Sequence, residues 1–146
     1  MRLVSDLLKS KGHQVWTIAP DHAVYDALKL MADKNIGALL VLEGDRLIGI
    51  FSERDYARKV ILKGKASKNI SVKEIMSSEV VYVRPEQTIE DCMVLMTDRH
   101  IRHLPVLEGK QLVGMISIGD VVGCIISEQG FEIKQLETYI TGLLHG

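Results

Sequence analysis

The chain contains two copies of one unit. Pro20, Asp26, Met31, Asp33, Ile36, Leu39, Val41, Glu43, Gly44, Leu47, Gly49, Ser52 and Asp55 recur in order as Pro85, Asp91, Met96, Asp98, Ile101, Leu104, Val106, Glu108, Gly109, Leu112, Gly114, Ser117 and Asp120. Pro20 to Pro85 and Asp55 to Asp120 are both steps of 65, and the match runs without a gap from Val15 to Val122. Units of about 60 residues bury too little surface to be comfortably stable alone, so the two copies are expected to fold around shared contacts. Each copy ends in Ser-x-x-Asp after an apolar run. A ligand held by one copy can in principle be held by the other, and function is expected in a two-fold pair of sites.

The hydrophobic pattern predicts the same elements twice. Ala23, Ala27, Leu30 and Met31, and their counterparts Thr88, Cys92, Leu95 and Met96, fall at helical spacing, with Asp21 and Glu86 expected in the first helical turn. Ala38 to Leu42 and Leu47 to Phe51 read as a hairpin, as do Leu104 to Leu107 and Leu112 to Ile116. A second helix is predicted over about Glu53 to Leu62 and about Ile118 to Glu128, with Ser52 and Ser117 as N-caps. Ahead of the copies, Val4, Asp6, Leu7 and Leu8 match Val72, Glu74, Ile75 and Met76, and the first prefix carries about three extra residues near Lys11 to His13. Lys63 to Asn69 reads as a solvated connector. Phe131, Leu136, Ile140 and Leu143 predict one more amphipathic helix, whose apolar side a second subunit could cover. The domain reading is residues 1–64, residues 65–130 and a C-terminal helix over 131–146.

Charge and cysteine content exclude several classes. With 18 Lys and Arg against 19 Asp and Glu, no global field draws the chain to nucleic acid or to an anionic membrane. An aromatic content of 5% argues against base-stacking surfaces. No apolar run reaches the span of a bilayer and the N-terminus lacks a secretory signal, so a cytoplasmic location is expected. Cys92 and Cys124 have neither CxxC spacing nor clustered His, and are expected as reduced, buried thiols.

Phe51 to Tyr56 (Phe-Ser-Glu-Arg-Asp-Tyr), Ile101 to Val106 (Ile-Arg-His-Leu-Pro-Val), the duplicated Gly-x-x-Ser-x-x-Asp and the connecting Glu-Ile-Met carry a family resemblance. Over about Val4 to Ile126 the chain resembles a tandem pair of cystathionine beta-synthase (CBS) domains, a Bateman module, and most of all the small stand-alone bacterial pairs. The resemblance implies an α/β fold of two β-α-β-β-α units packed through their sheets about a pseudo-two-fold. It also implies two clefts for adenosine-containing ligands and a flat dimer of modules.

The residues suit such a ligand. A carboxylate at a helix start can accept both hydroxyls of a ribose, which fits Asp55 and Asp120. Exposed N–H groups at the same helix start, beside Ser52 and Ser117, suit a phosphate. Taken singly, each Ser and Asp reads as well as an N-cap and a dipole-complementing acid. By resemblance, the Asp120 cleft is assigned Ser117, Gly119, Met115, Arg102 and His103, with Leu8, His13, Ile36, Gly37 and Ala38 as its opposite wall. Arg102 and His103 would be its phosphate donors, and Gly119 would leave room for a diphosphate such as that of NAD. The Asp55 cleft is assigned Ser52, Arg54, Ile50 and Asp55, with Met76, Ile101 and Arg102 opposite. Arg54, Arg58 and Lys59 read equally as a solvated helix face. The Asp120 cleft is the first choice.

No nucleophile with its base, no metal-holding cluster and no triphosphate-binding loop is visible, so a non-enzymatic module is expected. The preferred reading is a regulatory module that binds AMP, ATP or NAD and passes that state to an effector protein as a homodimer. The alternative is a constitutive interaction scaffold with unused clefts. A nucleotide-hydrolysing or redox enzyme would require turnover of those compounds.

Overall fold

In the computed structural model, which describes residues 2–145, the duplicated pattern becomes two duplicated half-structures. The first comprises β1 (Thr17–Ile18), α2 (Val24–Lys34), β2 (Ala38–Glu43), β3 (Arg46–Ser52) and α3 (Glu53–Tyr56), following α1 (Val4–Lys11). The second comprises α4 (Val72–Ile75), α5 (Ile89–Arg99), β4 (His103–Glu108), β5 (Gln111–Ser117) and α6 (Ile118–His145). Each hairpin is antiparallel and closes on a two-residue turn whose Gly44 or Gly109 takes a φ of 63°, a conformation that glycine adopts without a Cβ clash. Asn35 and His100 end α2 and α5 in the same left-handed conformation, at φ 54° and 53°.

The copies differ where their sequences do. Strand β1 pairs in parallel with β2, and Leu40 N–H donates to the Trp16 carbonyl at 3.3 Å. The residue in the position of Leu40 in copy two is Pro105, which has no N–H to donate. The equivalent strand accordingly shrinks to a single parallel bridge between Val83 and Val106. Asp21 and Glu86, expected in the first helical turn, instead precede helices that begin at Val24 and Ile89. In copy two the start is fixed by Thr88, whose side chain accepts from Asp91 N–H while the Asp91 carboxylate accepts from Thr88 N–H.

The prefix helices are exchanged between copies. Val4, Leu7 and Leu8 of α1 pack into the core of copy two with Ile89, Cys92, Leu104 and Ile116. Val72 and Ile75 of α4 pack into the core of copy one with Val24, Leu39, Val41 and Phe51. Paired bridges pin the exchange, Leu3 to Thr88 on one side and Ala23 to Ser71 on the other. Close approach at two glycines allows it. A Cβ at Gly114 would stand 2.7 Å from Leu8, and one at Gly49 would stand 2.5 Å from Met76. A cut between residues 64 and 65 therefore separates the sequence copies, while both cores extend across it.

Residues 53–62 form the expected second helix, but its outer turn, Ala57–Ile61, is π-wound. The tail is not a separate helix. Helix α6 runs unbroken from Ile118 to His145, because Gly130 interrupts the apolar pattern without adopting the positive φ that would end the helix. Beyond the body Ile126, Ile133, Leu136, Tyr139 and Ile140 are exposed, while the side chains of Phe131 and Leu143 lie outside the described residues. Cys92 and Cys124 are buried free thiols, and burial followed by the Asp91 charge pushes Cys92 up to about 11. No described helix is long and apolar enough to cross a membrane.

Candidate functional site

Each Ser-x-x-Asp folds as a reciprocal cap at the end of a β-ribbon. Asp55 N–H donates to Ser52 Oγ at 3.2 Å, and Ser52 N–H donates to Asp55 Oδ2 at 3.0 Å. Asp120 N–H donates to Ser117 Oγ at 3.2 Å, and Ser117 N–H donates to Asp120 Oδ2 at 2.8 Å. Capping thus engages one oxygen of each carboxylate. The other oxygen distinguishes the copies. Asp55 Oδ1 lies 3.2 Å from Lys59 Nζ and 3.5 Å from Ser77 Oγ, whereas Asp120 Oδ1 has no hydrogen-bond partner among the described residues.

A cavity of about 710 Å³ opens beside Asp55. Copy one lines it with Gly37, Ile50, Ser52, Glu53, Arg54, Asp55, Arg58 and Lys59, the connector with Ser77, Glu79 and Val81, and copy two with Arg99, His100, Ile101, Arg102 and His103. Five Arg or Lys side chains face three carboxylates there, an excess of cation in a chain whose net charge is −1. Arg54 spans the cleft, its Nη1 donating to the His100 carbonyl at 2.8 Å, and so ties the start of α3 to the end of α5. Lys59 donates to the Ile75 carbonyl at 3.0 Å, and the π turn holds it over Asp55. Such turns concentrate at functional sites.

Arg102, expected at both clefts, and His103 and Gly37, expected at the Asp120 cleft, all line the cavity of Asp55, while His103 also feels the charges of Lys11 and Asp120. The corner between α5 and β4 closes on α3 of the other copy, as the Arg54 bond to His100 shows. Ile50, Ser52, Arg54 and Ile101 fall at the Asp55 cavity as expected. Met76 stands against Gly49 and packs on the core of copy one. Arg58, Arg99, His100, Ser77 and Glu79 were not singled out as site residues. Arg58 and Lys59 carried a signal, since the 65-residue step replaces them with Gly123 and Cys124.

On the Asp120 side, residues from the end of α1 meet the carboxylate and the edge of β5. Lys11 Nζ lies 2.6 Å from Asp120 Oδ2 and 2.6 Å from the Met115 carbonyl, and His13 Nδ1 lies 2.9 Å from the Val113 carbonyl. Leu8 and Ala38 are fully buried, and Ile36 is partly buried against the core of copy one. Beside Gly119 there is room, a Cβ meeting only Ser117 Oγ at 3.6 Å. Burial disfavours ionisation of Asp120, but hydrogen bonds from Lys11 and the Ser117 backbone outweigh it and hold the carboxyl below its ordinary range. His103 is pushed below the ordinary histidine value by burial and by the charges of Lys11 and Arg102, with Asp120 opposing them. It is neutral at pH 7. Among the described residues, no group of three or more His, Cys, Asp or Glu could hold a metal ion.

Comparison with known proteins identifies the class. The family model of the CBS domain matches twice, over residues 4–62 and 72–127, and the chain belongs to that family as a tandem pair. It is 44% identical to the mitochondrial CBS domain-containing protein CBSX3 of Arabidopsis thaliana, over 95% of this chain and 72% of that protein. It is 35% identical to the CBS domain-containing protein YhcV of Bacillus subtilis, over 74% of this chain and 76% of that protein. A CBS-domain protein from Burkholderia ambifaria superposes with a TM-score of 0.85 at 50% identity, covering 88% of this chain and 96% of that one. A more distant pair, that of protein MJ0100, was solved with 5′-methylthioadenosine and S-adenosyl-L-methionine; at 21% identity and a TM-score of 0.76 it shares the fold.

Proposed function

We propose that this CBS pair is a regulatory module that binds a phosphorylated adenosine compound, of the class of AMP, ATP or NAD, in the Asp55 cavity and passes that state to a partner protein. The observation that carries the reading is the ring of Arg54, Arg58, Lys59, Arg99 and Arg102 around a carboxylate at a helix start. Asp55 accepts the ribose hydroxyls once Lys59 yields Oδ1, the cations take the phosphate, and apolar Ile50, Val81 and Ile101 flank the base. The compounds bound by the MJ0100 pair, neither of which carries a phosphate, support the adenosine part of the reading alone. Because the cavity is lined by both copies, a ligand in it favours one relative arrangement of the two, and a partner that distinguishes the arrangements reads the ligand.

Calorimetric titration with AMP, ATP, NAD and S-adenosylmethionine tests this. At least one phosphorylated compound is expected to bind, and Asp55→Asn is expected to weaken it by about 10- to 100-fold, the worth of a hydrogen bond to a charged group. Absence of binding by all four compounds overturns the reading and leaves a scaffold that works through α6.

The same reading includes a homodimer. Ile126, Ile133 and Ile140 stand seven apart on the exposed side of α6, with Leu136 between them, the β-branched and Leu alternation that favours two paired helices. Light scattering is expected to give twice the mass of the chain, and Ile133→Asp with Ile140→Asp to halve it. A monomeric parent protein overturns the dimer.

A further inference from the structure

The two copies keep the same aspartate but treat it differently, and the cause lies in the residues that lengthen the first prefix. After Met76, the second prefix continues into Ser77, whose backbone pairs with Ile50 at 3.0 and 2.9 Å and closes the edge of β3. After Leu8, the first prefix continues through Lys11, Gly12 and His13 instead. Gly12 ends α1 at φ 103° and ψ 165°, a conformation that other residues rarely adopt. Through this turn two side chains, rather than the backbone, meet the edge of β5. His13 takes the Val113 carbonyl, and Lys11 takes both the Met115 carbonyl and Asp120.

We infer that Lys11 is a built-in occupant of the second adenosine cleft, which confines ligand to the Asp55 cavity and makes a duplicated module bind one nucleotide per chain. The inference rests on the proposed function. An ammonium at 2.6 Å from a carboxylate oxygen is a short, charge-assisted contact, and together with the Ser117 N–H it takes up Asp120 Oδ2, so that a ribose finds one open oxygen there rather than two. Its second contact is to the Met115 carbonyl, so one ammonium closes both the carboxylate and an edge acceptor of β5. Lys59 is the weaker counterpart in the other cleft. It stands 3.2 Å from Asp55, against 2.6 Å between Lys11 and Asp120, and the longer contact is the weaker one for a ligand to displace. Charge completes the asymmetry. The 65-residue step carries Arg54, Arg58 and Lys59 into Gly119, Gly123 and Cys124, and Gly37 and Ala38 into Arg102 and His103. In the second cleft Lys11 neutralises the carboxylate that the first cleft leaves under a surplus of cations. A ligand competing for Asp120 binds with its affinity reduced by the small fraction of chains in which Lys11 has left.

Titration with AMP separates the possibilities. The parent protein is expected to bind about one equivalent and Lys11→Met about two, as removal of a competing conformation raises apparent affinity. Adding Asp120→Asn to Lys11→Met is expected to return the stoichiometry to that of the parent. Two equivalents in the parent, or one in Lys11→Met, overturn the inference while the proposed function stands. Binding by neither protein overturns the proposed function and the inference with it. Should Lys11→Met not fold, amine acylation followed by mass spectrometry reads the parent directly. Lys11 is expected to label at least tenfold more slowly than exposed Lys9, with and without AMP, as a residue held in a charge-assisted pair does. Equal labelling of the two overturns the inference.

Discussion

Phe51→Ala is expected to remove about 3–5 kcal/mol of unfolding free energy, the range for truncating a buried aromatic in a core that cannot collapse around the gap. Phe51 is among the largest fully buried side chains in the molecule. It lies on β3 opposite Leu39 of β2, within a cluster that gathers Val24, Ala27 and Met31 from α2, Val60 from the π turn and Val72 and Ile75 from the exchanged α4. It therefore joins copy one to the segment leading into copy two. A domain of this size has about 5–15 kcal/mol in total, so the loss is a large fraction of what holds the fold. Urea unfolding followed by circular dichroism measures it, with a fall in Tm of roughly 10 °C expected alongside. The site should suffer too, since Ser52 follows Phe51 directly and its cap sets the start of α3, hence the aim of Arg54 and Asp55. A loss below about 1 kcal/mol would show that the core relaxes around the gap.

The same residue shows what the sequence makes legible. The alternation of β3 and its counterpart fixes Phe51 and Ile116 as inward positions, and the 65-residue register fixes Ser52, Asp55, Ser117 and Asp120 as the ends of equivalent ribbons. Local chemistry suffices for those elements. Hairpin turns need Gly44 and Gly109, and the caps need Ser and Asp three apart. The destination of α1 and α4 is not local. Their matching patterns show that they are equivalent, but the path of the chain decides which core each completes. For the same reason His103, near Ser117 along its own hairpin, reads as belonging to Asp120 alone, and Arg102 to both clefts. The strand register does set His103 opposite Ser117, yet the corner they form faces α3 of copy one. Pairing within a hairpin is readable from spacing, whereas the partner of a corner is a tertiary fact. The bond of Lys59 to the Ile75 carbonyl and the grip of Lys11 on Asp120 are likewise tertiary, since each acceptor comes from another part of the chain.

Charge placement gives the strongest solution test of the site. His103 sits in the wall of the Asp55 cavity and also responds to Asp120 and Lys11, so it stands between the two clefts. In the free protein it is neutral at pH 7, because burial disfavours the imidazolium and Lys11, from the end of α1, and Arg102, beside it, repel the proton more than Asp120 of α6 attracts it. The sign for stability follows. With the folded value below the unfolded one, the unfolded chain takes up the proton first, so His103 costs the free protein stability as pH falls below about 6.5. A phosphate placed among Arg54, Arg99 and Arg102 reverses the balance, raising the histidine toward protonation in the complex. Binding of AMP is then expected to take up a proton and to tighten as pH falls from 8 toward about 6, approaching tenfold per unit where the free histidine is neutral and the bound one charged. Below about 6 the phosphate itself gains a proton and the gain ends. Calorimetry in two buffers of different ionisation enthalpy counts the protons. His103→Gln is expected to flatten the pH profile while leaving binding at pH 8 nearly unchanged, and adenosine, which lacks the phosphate, should show little uptake in the parent protein. Proton release on binding AMP, or an unaltered profile in His103→Gln, would place the phosphate away from His103.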